Sequence, residues 1–240
     1  MRFQDAARDA RAVVYAAIQG DPLVARAATL LADAAPGERL LARAAMNGET
    51  TDPADWREMF PTLFGAGVAA ADRERAEAIL DVALDVARRG EQVRSQFRGA
   101  IVEALTVALV ARRVPAAAVH TERRILFDGV RAEIHPYDVT VELPDRAEAY
   151  DCKWGARGIN AEVLLQLDAA RTHAEEAERR LLVALVVFDA RRSCRVRLAR
   201  LAPAPGVRLV ALESLDALGR AKAAGAAPAP SAPSPPSAPS

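Results

Sequence analysis

Residues 135–154, HPYDVTVELPDRAEAYDCKW, decide the fold because they predict two neighbouring strands joined by a short turn. Apolar and polar residues alternate on both sides of Pro144 and Asp145, and this dipeptide is typical of a turn. In the second strand, successive side chains point to opposite faces, so Asp151 and Lys153 share one face. A carboxylate and an ammonium group are therefore predicted side by side at the end of that strand.

The length of the turn sets which residues of the two strands face each other. A two-residue loop at 144–145 places Asp138 directly opposite Asp151, whereas a three-residue loop shifts the pairing by one residue. Two facing carboxylates repel each other, and oxygen ligands that hold a divalent cation relieve this repulsion. The pair predicts a site for Mg²⁺ or Mn²⁺.

Glu103 is the third candidate ligand, because it is the only charged residue in the apolar run 101–110. Burial of a carboxylate without a partner costs roughly several kcal/mol of folding free energy. The helix that carries Glu103 must therefore bring it to a cation or a hydrogen-bond donor. The alternative interpretation is that Glu103 lies at the rim of the apolar stripe and reaches water.

Lys153 is notable because the chain has 32 basic residues, of which Lys153 and Lys222 alone are lysines. A compact ammonium group contacts a water molecule or a phosphate oxygen as a point charge, which the planar guanidinium of arginine does not reproduce. The alternative is that this lysine arose by chance.

The rest of the chain divides into three parts. Residues 1–91 predict a helical domain, residues 92–221 a second domain of α/β class, and residues 222–240 a disordered tail of Ala, Pro and Ser. The predicted helices cover 3–18, 22–34, 36–46, 53–60, 71–89, 93–113 and 161–180, and the predicted strands cover 124–127, 131–143, 146–153, 181–188, 194–201 and 207–212. The continuous apolar run 181–188 is typical of a buried central strand. Predicted N-caps are Asp21, Thr51 and Asn160.

Composition excludes several classes of protein. The 32 basic and 32 acidic side chains balance, and no apolar stretch approaches the roughly 20 residues that span a membrane. Two cysteines and three histidines offer no zinc-ligand spacing. The sequence has no P-loop, no G-x-S-x-G and no H-E-x-x-H motif. With no secretory signal after Met1, a cytoplasmic protein is expected.

The order of these features resembles the PD-(D/E)XK nuclease superfamily, which has a restriction-endonuclease-like fold. The resemblance rests on Glu103 in a helix, the strand with residues 135–138, the strand with Asp151-Cys152-Lys153, and a following helix with Gln166. It covers about residues 93–215 and implies a mixed central sheet flanked by helices. The chain departs from the usual motif because Tyr137 separates the proline from Asp138.

The resemblance implies that the protein hydrolyses DNA phosphodiester bonds with Mg²⁺, for which Mn²⁺ would substitute. It implies that Asp138, Asp151, the backbone carbonyl of Cys152 and Glu103 hold the metal. Lys153 would position or activate the attacking water. The thiol of Cys152 faces away from the carboxylates by strand alternation and is interpreted as a core group.

Four further residues are secondary candidates. Gln166 either approaches the site from its helix or is a helix-edge residue. Trp154 and Arg157 are candidates to contact a base or a phosphate. The alternative for Trp154 is that it packs against the protein. His135 is a candidate proton donor, although a lone histidine is usually structural.

The expected partner is DNA, with a targeting protein as a further candidate that would bind the helical domain. Arginine clusters at 112–113, 123–124, 179–180 and 191–197 form a phosphate-contacting rim or scattered surface charge. Two alternatives to the nuclease stay open: a catalytically inactive nuclease-like module that binds nucleic acid or protein, and a helical interaction protein whose D-x-K is coincidental.

Overall fold

A mixed, open β-sheet lies at the centre of the protein. The computed structural model describes residues 1–6, 10–131, 135–202 and 206–220. The strands are β1 (Arg2–Asp5), β2 (Val119–Phe127), β3 (Val130–Arg131), β4 (Tyr137–Glu142), β5 (Ala147–Lys153), β6 (Leu181–Val187) and β7 (Arg208–Ala211). Their order is β1-β2-β4-β5-β6-β7, with β3 paired to β2. Neighbours from β1 to β5 are antiparallel, and β5, β6 and β7 are parallel. The protein therefore has an α/β fold.

Helices cover both faces of the sheet. They are α1 (Ala10–Gln19), α2 (Pro22–Asp33), α3 (Pro36–Asn47), α4 (Pro53–Met59), α5 (Pro61–Phe64), α6 (Ala70–Ala87), α7 (Glu91–Val110), α8 (Ala161–Glu176) and α9 (Arg191–Leu201). Short 3₁₀ segments occupy Ala116–Ala118, Ala156–Gly158 and Leu212–Leu218. No helix within the described ranges is long and apolar enough to cross a membrane.

The two faces of β5 belong to two different hydrophobic clusters. Tyr150 and Cys152 pack in the cluster that contains α7 and the helices before it, whereas Ala149 packs in the cluster that contains α8. This division follows the side-chain alternation of the strand. The run 181–188 forms β6, which lies between β5 and β7 and is buried, as its unbroken apolar sequence predicts.

Two predicted elements are wrong. The helix predicted from residue 3 starts at α1, because Arg2–Asp5 pairs with β2, so the predicted helical domain is not all-helical. The strand predicted at 194–201 is helix α9, in which Cys194, Leu198 and Leu201 recur at four- and three-residue spacing and pack against the sheet. That spacing places all three on one helical face. The arginines between them obscured the period.

The predicted domain boundary and helix N-caps can be compared with the structure residue by residue. Glu91 begins α7, and helices before and after that point share one hydrophobic cluster with the sheet. Asp21 caps α2 and Asn160 caps α8, each by accepting a backbone N–H hydrogen bond. The cap predicted at Thr51 is wrong, because the Asp52 carboxylate accepts from the first turn of α4. The predicted tail 222–240 lies outside the described residues.

Candidate metal centre

The hairpin of β4 and β5 has the register that a two-residue loop predicts. Its pairs run from Val139 opposite Tyr150 to Glu142 opposite Ala147. The backbone N–H of Leu143 donates to the carbonyl of Arg146 at 3.0 Å and closes the turn. Asp138 and Asp151 are the next positions along the same register. The predicted register is therefore confirmed, and its continuation by one pair aligns Asp138 with Asp151.

Both aspartates are engaged by groups of β5. An oxygen of the Asp138 carboxylate, Oδ2, accepts a hydrogen bond from the backbone N–H of Cys152 at 2.5 Å. The Lys153 ammonium lies 2.5 Å from Asp151 Oδ1, and the Asp151 residue is only 5% exposed. Asp138, Asp151 and Lys153 thus form one cluster at the end of the hairpin.

The cluster carries more negative than positive charge. Desolvation, and then the charges of Asp151 and Glu103, raise the pKa of Asp138 well above its usual value. Desolvation by itself would lower the pKa of Lys153, but the carboxylates of Asp138 and Asp151 outweigh it and raise that pKa. Lys153 is therefore held as an ammonium group, and its single positive charge does not balance the acidic groups around it.

Helix α1 holds Glu103, which lies partly buried on α7. The Tyr15 hydroxyl donates to Glu103 Oε1 at 2.7 Å, and the Gln19 amide donates to Glu103 Oε2 at 2.8 Å. Burial raises the pKa of Glu103, and these two hydrogen bonds oppose that rise. The Glu103 carboxylate therefore has donors at both oxygens, which differs from the alternative in which it only reaches water.

Sequence reasoning missed Tyr15 and Gln19, and also missed Glu122. The Gln19 amide lies 3.4 Å from Glu122 Oε1, and the charge of Glu122 contributes to the raised pKa of Glu103. Glu122 has a φ of 51°, a left-handed conformation that is uncommon for a residue with a Cβ. The one available signal was the four-residue spacing of Tyr15 and Gln19, which places both on one helical face.

The Cys152 thiol packs on the opposite face of β5, as the alternation of the strand predicts. It is buried, and its Sγ lies 3.4 Å from the Thr106 hydroxyl on α7. Burial raises the pKa of this thiol well above its usual value. The thiol is therefore a protonated core group, and the predicted ligand is the backbone carbonyl of the same residue.

The secondary candidates lie around the cluster and contact other groups. The side-chain oxygen of Gln166 on α8 accepts from the backbone N–H of His135 at 3.0 Å. The backbone carbonyl of Gln166 accepts from the Tyr137 hydroxyl at 3.3 Å. Gln166 thereby fixes the segment that leads into β4. The His135 ring is exposed and lies 3.1 Å from a Glu162 oxygen.

Trp154 and Arg157 follow the cluster along the chain. The Trp154 ring stacks on Phe188 with centroids 5.0 Å apart, and its indole N–H donates to Asn47 at 3.0 Å. Trp154 is therefore a packing residue that ties the end of β5 to α3. Arg157 is exposed and lines a surface cleft beside α9.

The chemistry of the cluster fits a hard divalent cation. The charges of Asp151 and Glu103 both act on Asp138, and the pKa values of Asp138 and Glu103 are raised in part by neighbouring acidic groups. Added positive charge offsets that repulsion, and oxygen donors are the ligands that Mg²⁺ prefers. Across the described part of the chain, no three His, Cys, Asp or Glu side chains lie close enough to form a metal cage as they stand. Protein groups contact one oxygen of each aspartate and both oxygens of Glu103, namely Lys153, the Cys152 N–H, Tyr15 and Gln19.

Comparisons with known proteins give one structural likeness. No protein-family model matches the chain, and no curated protein matches it significantly. Among solved structures, it is similar to the crystal structure of protein VC1899 from Vibrio cholerae, with 18% sequence identity and a TM-score of 0.38. The alignment covers 91% of this chain and 56% of that one, so the chain spans about half the length of the Vibrio protein.

Proposed function

We propose that this protein is a metal-dependent nuclease of the PD-(D/E)XK type that hydrolyses DNA phosphodiester bonds. The observation that carries the proposal is the joint position of Asp138, Asp151, Lys153 and Glu103, which come from two paired strands and one helix packed on them. Charged side chains that lie together beside a buried sheet lower the stability of the folded protein unless a ligand binds them.

The order of elements supports the same proposal. The sequence α7, β2, β4, β5, α8 and β6 gives helix, three antiparallel strands, helix and parallel strand. The aspartate lies on the second of these strands and D-x-K on the third, which is the order on which the resemblance to PD-(D/E)XK nucleases depends. A restriction-endonuclease-like core is accordingly part of the proposal.

The proposed ligands of the metal are Asp138, Asp151, the carbonyl of Cys152 and Glu103. Mg²⁺ bound there would supply Lewis-acid stabilisation of charge that develops on the phosphoryl oxygens. For Lys153 to act on substrate, its ammonium group must move from Asp151 to a water molecule or a phosphate oxygen. Because its pKa is raised, Lys153 serves as a cationic donor that orients the attacking water.

Tyr15 and Gln19 would keep the Glu103 carboxylate oriented toward the cluster. Each makes one hydrogen bond to it, so the carboxylate is fixed from α1 while α7 fixes its backbone. This gives the residues before 91 a part in the proposed site. Binding of a separate targeting protein to α1–α6 stays a prediction.

The decisive experiment is cleavage of labelled single-stranded, linear and circular DNA in Mg²⁺, Mn²⁺ or EDTA. Asp138→Asn, Asp151→Asn and Glu103→Gln remove one candidate ligand each. Asp145→Asn is the matched control, because Asp145 lies in the exposed turn of the same hairpin and pairs only with its neighbour Arg146 among the described residues. We expect metal-dependent cleavage by the unaltered protein and the control, and its loss in the three ligand variants.

Metal binding is measured separately by the midpoint of thermal unfolding. A cation that binds the folded protein raises this midpoint with its concentration. We expect Mn²⁺ to raise it for the unaltered protein and the Asp145→Asn control but much less for Asp138→Asn. DNA binding without cleavage and without a metal-dependent shift would reject the enzyme in favour of an inactive nuclease-like module.

A further inference from the structure

A cleft of about 480 Å³ opens between the 3₁₀ segment Ala156–Gly158 and helix α9. Its walls carry four arginines together with an exposed apolar residue and a hydroxyl group: Arg157, Arg192, Arg197, Arg200, Val196 and Ser193. No carboxylate lines it. The cleft is therefore a strongly basic feature on the surface.

Helix α9 has an unusual charge pattern for this protein. It carries five arginines in eleven residues and no acidic residue, whereas the longer helices α2, α3, α6, α7 and α8 all carry acidic residues. Many arginines elsewhere pair with carboxylates, as Arg57 does with Glu77. Within the described ranges, Arg157, Arg192 and Arg200 form no ion pair with a carboxylate. Their positive charges are available to an anion from outside.

Hydrogen bonds of Arg197 and of the turn at Ala156 fix the walls of the cleft. The Arg197 guanidinium donates through Nε to the carbonyl of Ile159 at 2.8 Å, so it bridges α9 and the segment opposite. The backbone N–H of Ala156 donates to Asp189 Oδ2 at 2.9 Å, and Arg43 lies 2.6 Å from the same oxygen. Both walls are therefore held in place before any ligand arrives.

The cleft lies directly beside the candidate metal centre. The segment Ala156–Gly158 begins three residues after Lys153, and a Cβ placed on Gly158 would lie 3.0 Å from Lys153 Cδ. One side of this turn thus touches the lysine of the cluster, and Ala156 on the same turn lines the cleft. The cleft and the candidate metal centre therefore share this turn.

We propose that this cleft binds the sugar-phosphate backbone of the DNA strand that is cut, and holds the nucleotides next to the scissile phosphate. The inference rests on the proposed nuclease function and names the surface that guides its substrate. Arginine suits this role because its planar guanidinium makes two parallel hydrogen bonds to a phosphate. The Ser193 hydroxyl adds a neutral donor, and the exposed Val196 offers an apolar contact to a sugar.

The test measures DNA affinity without cleavage, by fluorescence anisotropy in EDTA with full-length protein that carries Asp151→Asn. On that background, Arg192→Gln with Arg200→Gln is compared with Arg179→Gln and Arg180→Gln. The control pair removes the same charge from exposed positions at the start of β6, the opposite end of the sheet from Lys153. Circular dichroism verifies that both double variants unfold at the temperature of the background protein.

We expect the cleft pair to weaken DNA binding about tenfold at moderate salt and the control pair to change it less than about twofold. Two lost phosphate contacts should also lower the slope of log affinity against log salt by about 1.4 for single-stranded DNA, or about 1.8 for duplex DNA. The proposal would be overturned if both pairs weakened DNA binding equally or if neither pair weakened it. It would also be overturned if the cleft pair weakened the binding of RNA but not of DNA.

The outcome separates this inference from the proposed function. Loss of DNA binding in the cleft pair, together with no cleavage by the unaltered protein, would keep the cleft and reject the nuclease. Metal-dependent cleavage by the unaltered protein, together with unchanged DNA binding in the cleft pair, would keep the nuclease and reject the cleft.

Discussion

Strand β5 carries one buried acidic side chain near each end, and their surroundings are electrostatically opposite. Glu148 and Asp151 are each 5% exposed. At Glu148, the Arg113 guanidinium donates to both carboxylate oxygens and Tyr150 adds a third donor. Burial alone would raise the pKa of Glu148, but these hydrogen bonds and the Arg113 charge lower it. At the other end, Asp151 faces further carboxylates and a single lysine.

The comparison shows how a structural acid differs from a candidate functional one. Glu148 and Arg113 form a charge-balanced pair, and the Arg113 Nε also donates to the carbonyl of Leu218 at 2.6 Å, so the group is complete within the protein. Burial raises the pKa of Asp138, and the acidic neighbours Asp151 and Glu103 raise it further. A balanced pair stabilises the fold without a ligand, whereas an unbalanced cluster is stabilised by a cation.

The largest expected effect comes from breaking the balanced pair. Arg113→Met removes the hydrogen-bonded cation of the buried Glu148 and leaves the half-exposed Arg146, 3.9 Å away, as a weak substitute. We expect the free energy of unfolding to fall by about 3 kcal/mol. Urea denaturation measures this loss. The control is Arg112→Met, since Arg112 pairs with Asp33 on the surface and such pairs contribute about 1 kcal/mol or less. Equal losses in the two variants would contradict the special status of the Arg113 pair.

The next effect concerns activity at the other end of the strand. Lys153→Arg keeps the positive charge but replaces the compact ammonium with a planar group, and we expect DNA cleavage to slow by about 10²–10³-fold. Arg88→Lys, an exchange on the exposed face beyond α6, should leave the rate unchanged. Rates are compared in Mg²⁺ at equal concentrations of folded protein. A rate for Lys153→Arg within about threefold of the unaltered protein would remove this lysine from the mechanism.

The two ends should also respond oppositely to pH when no metal is present. The folded pKa of Asp138 is raised, so its contribution to stability is present at acid pH and is lost as pH rises from about 4 through the folded pKa. The folded pKa of Glu148 is lowered, so its contribution is present above about 4.5 and is lost as pH falls through the folded pKa.

Unfolding free energies measured from about pH 2.5 to pH 8 cover both windows and test these opposite signs. Asp138→Asn should gain stability relative to the unaltered protein as pH rises, and Glu148→Gln should lose it. Because the charge of Glu103 raises the pKa of Asp138, the curve reflects both carboxylates rather than Asp138 alone. Parallel curves for the two variants would show that the two ends of β5 are electrostatically alike.

The smallest expected effect concerns the hydrogen bond from α1 to Glu103. Tyr15→Phe removes one donor from that carboxylate while it keeps the ring, and we expect a loss of about 0.5–1.5 kcal/mol in stability. Because the Tyr15 hydrogen bond holds the pKa of Glu103 down, its removal should move the acidic limb of the pH–rate profile upward. Val14→Ala, on the exposed side of the same helix, should leave the profile unchanged.

Much of the hairpin and part of its site were predictable from local sequence. The two-residue turn at Pro144 and Asp145 fixes the register of β4 and β5, and strand alternation then assigns faces to Asp151 and Lys153. Helix α9 was misassigned because its arginines mask the spacing of the three residues that pack inward. Strand β1 was missed because a four-residue edge strand has too short a pattern to distinguish from a helix start.

The sequence by itself determined the α/β class, the alignment of Asp138 with Asp151 and the face that Lys153 occupies, because turn length and strand period act between near neighbours. Only the tertiary structure decided that Tyr15 and Gln19 hold Glu103, that Arg113 neutralises Glu148, and that α9 faces the turn after Lys153. These contacts join residues 35 to 88 positions apart. No local period encodes such pairs, because they form only when packing of the helices against the sheet has fixed the distances between them.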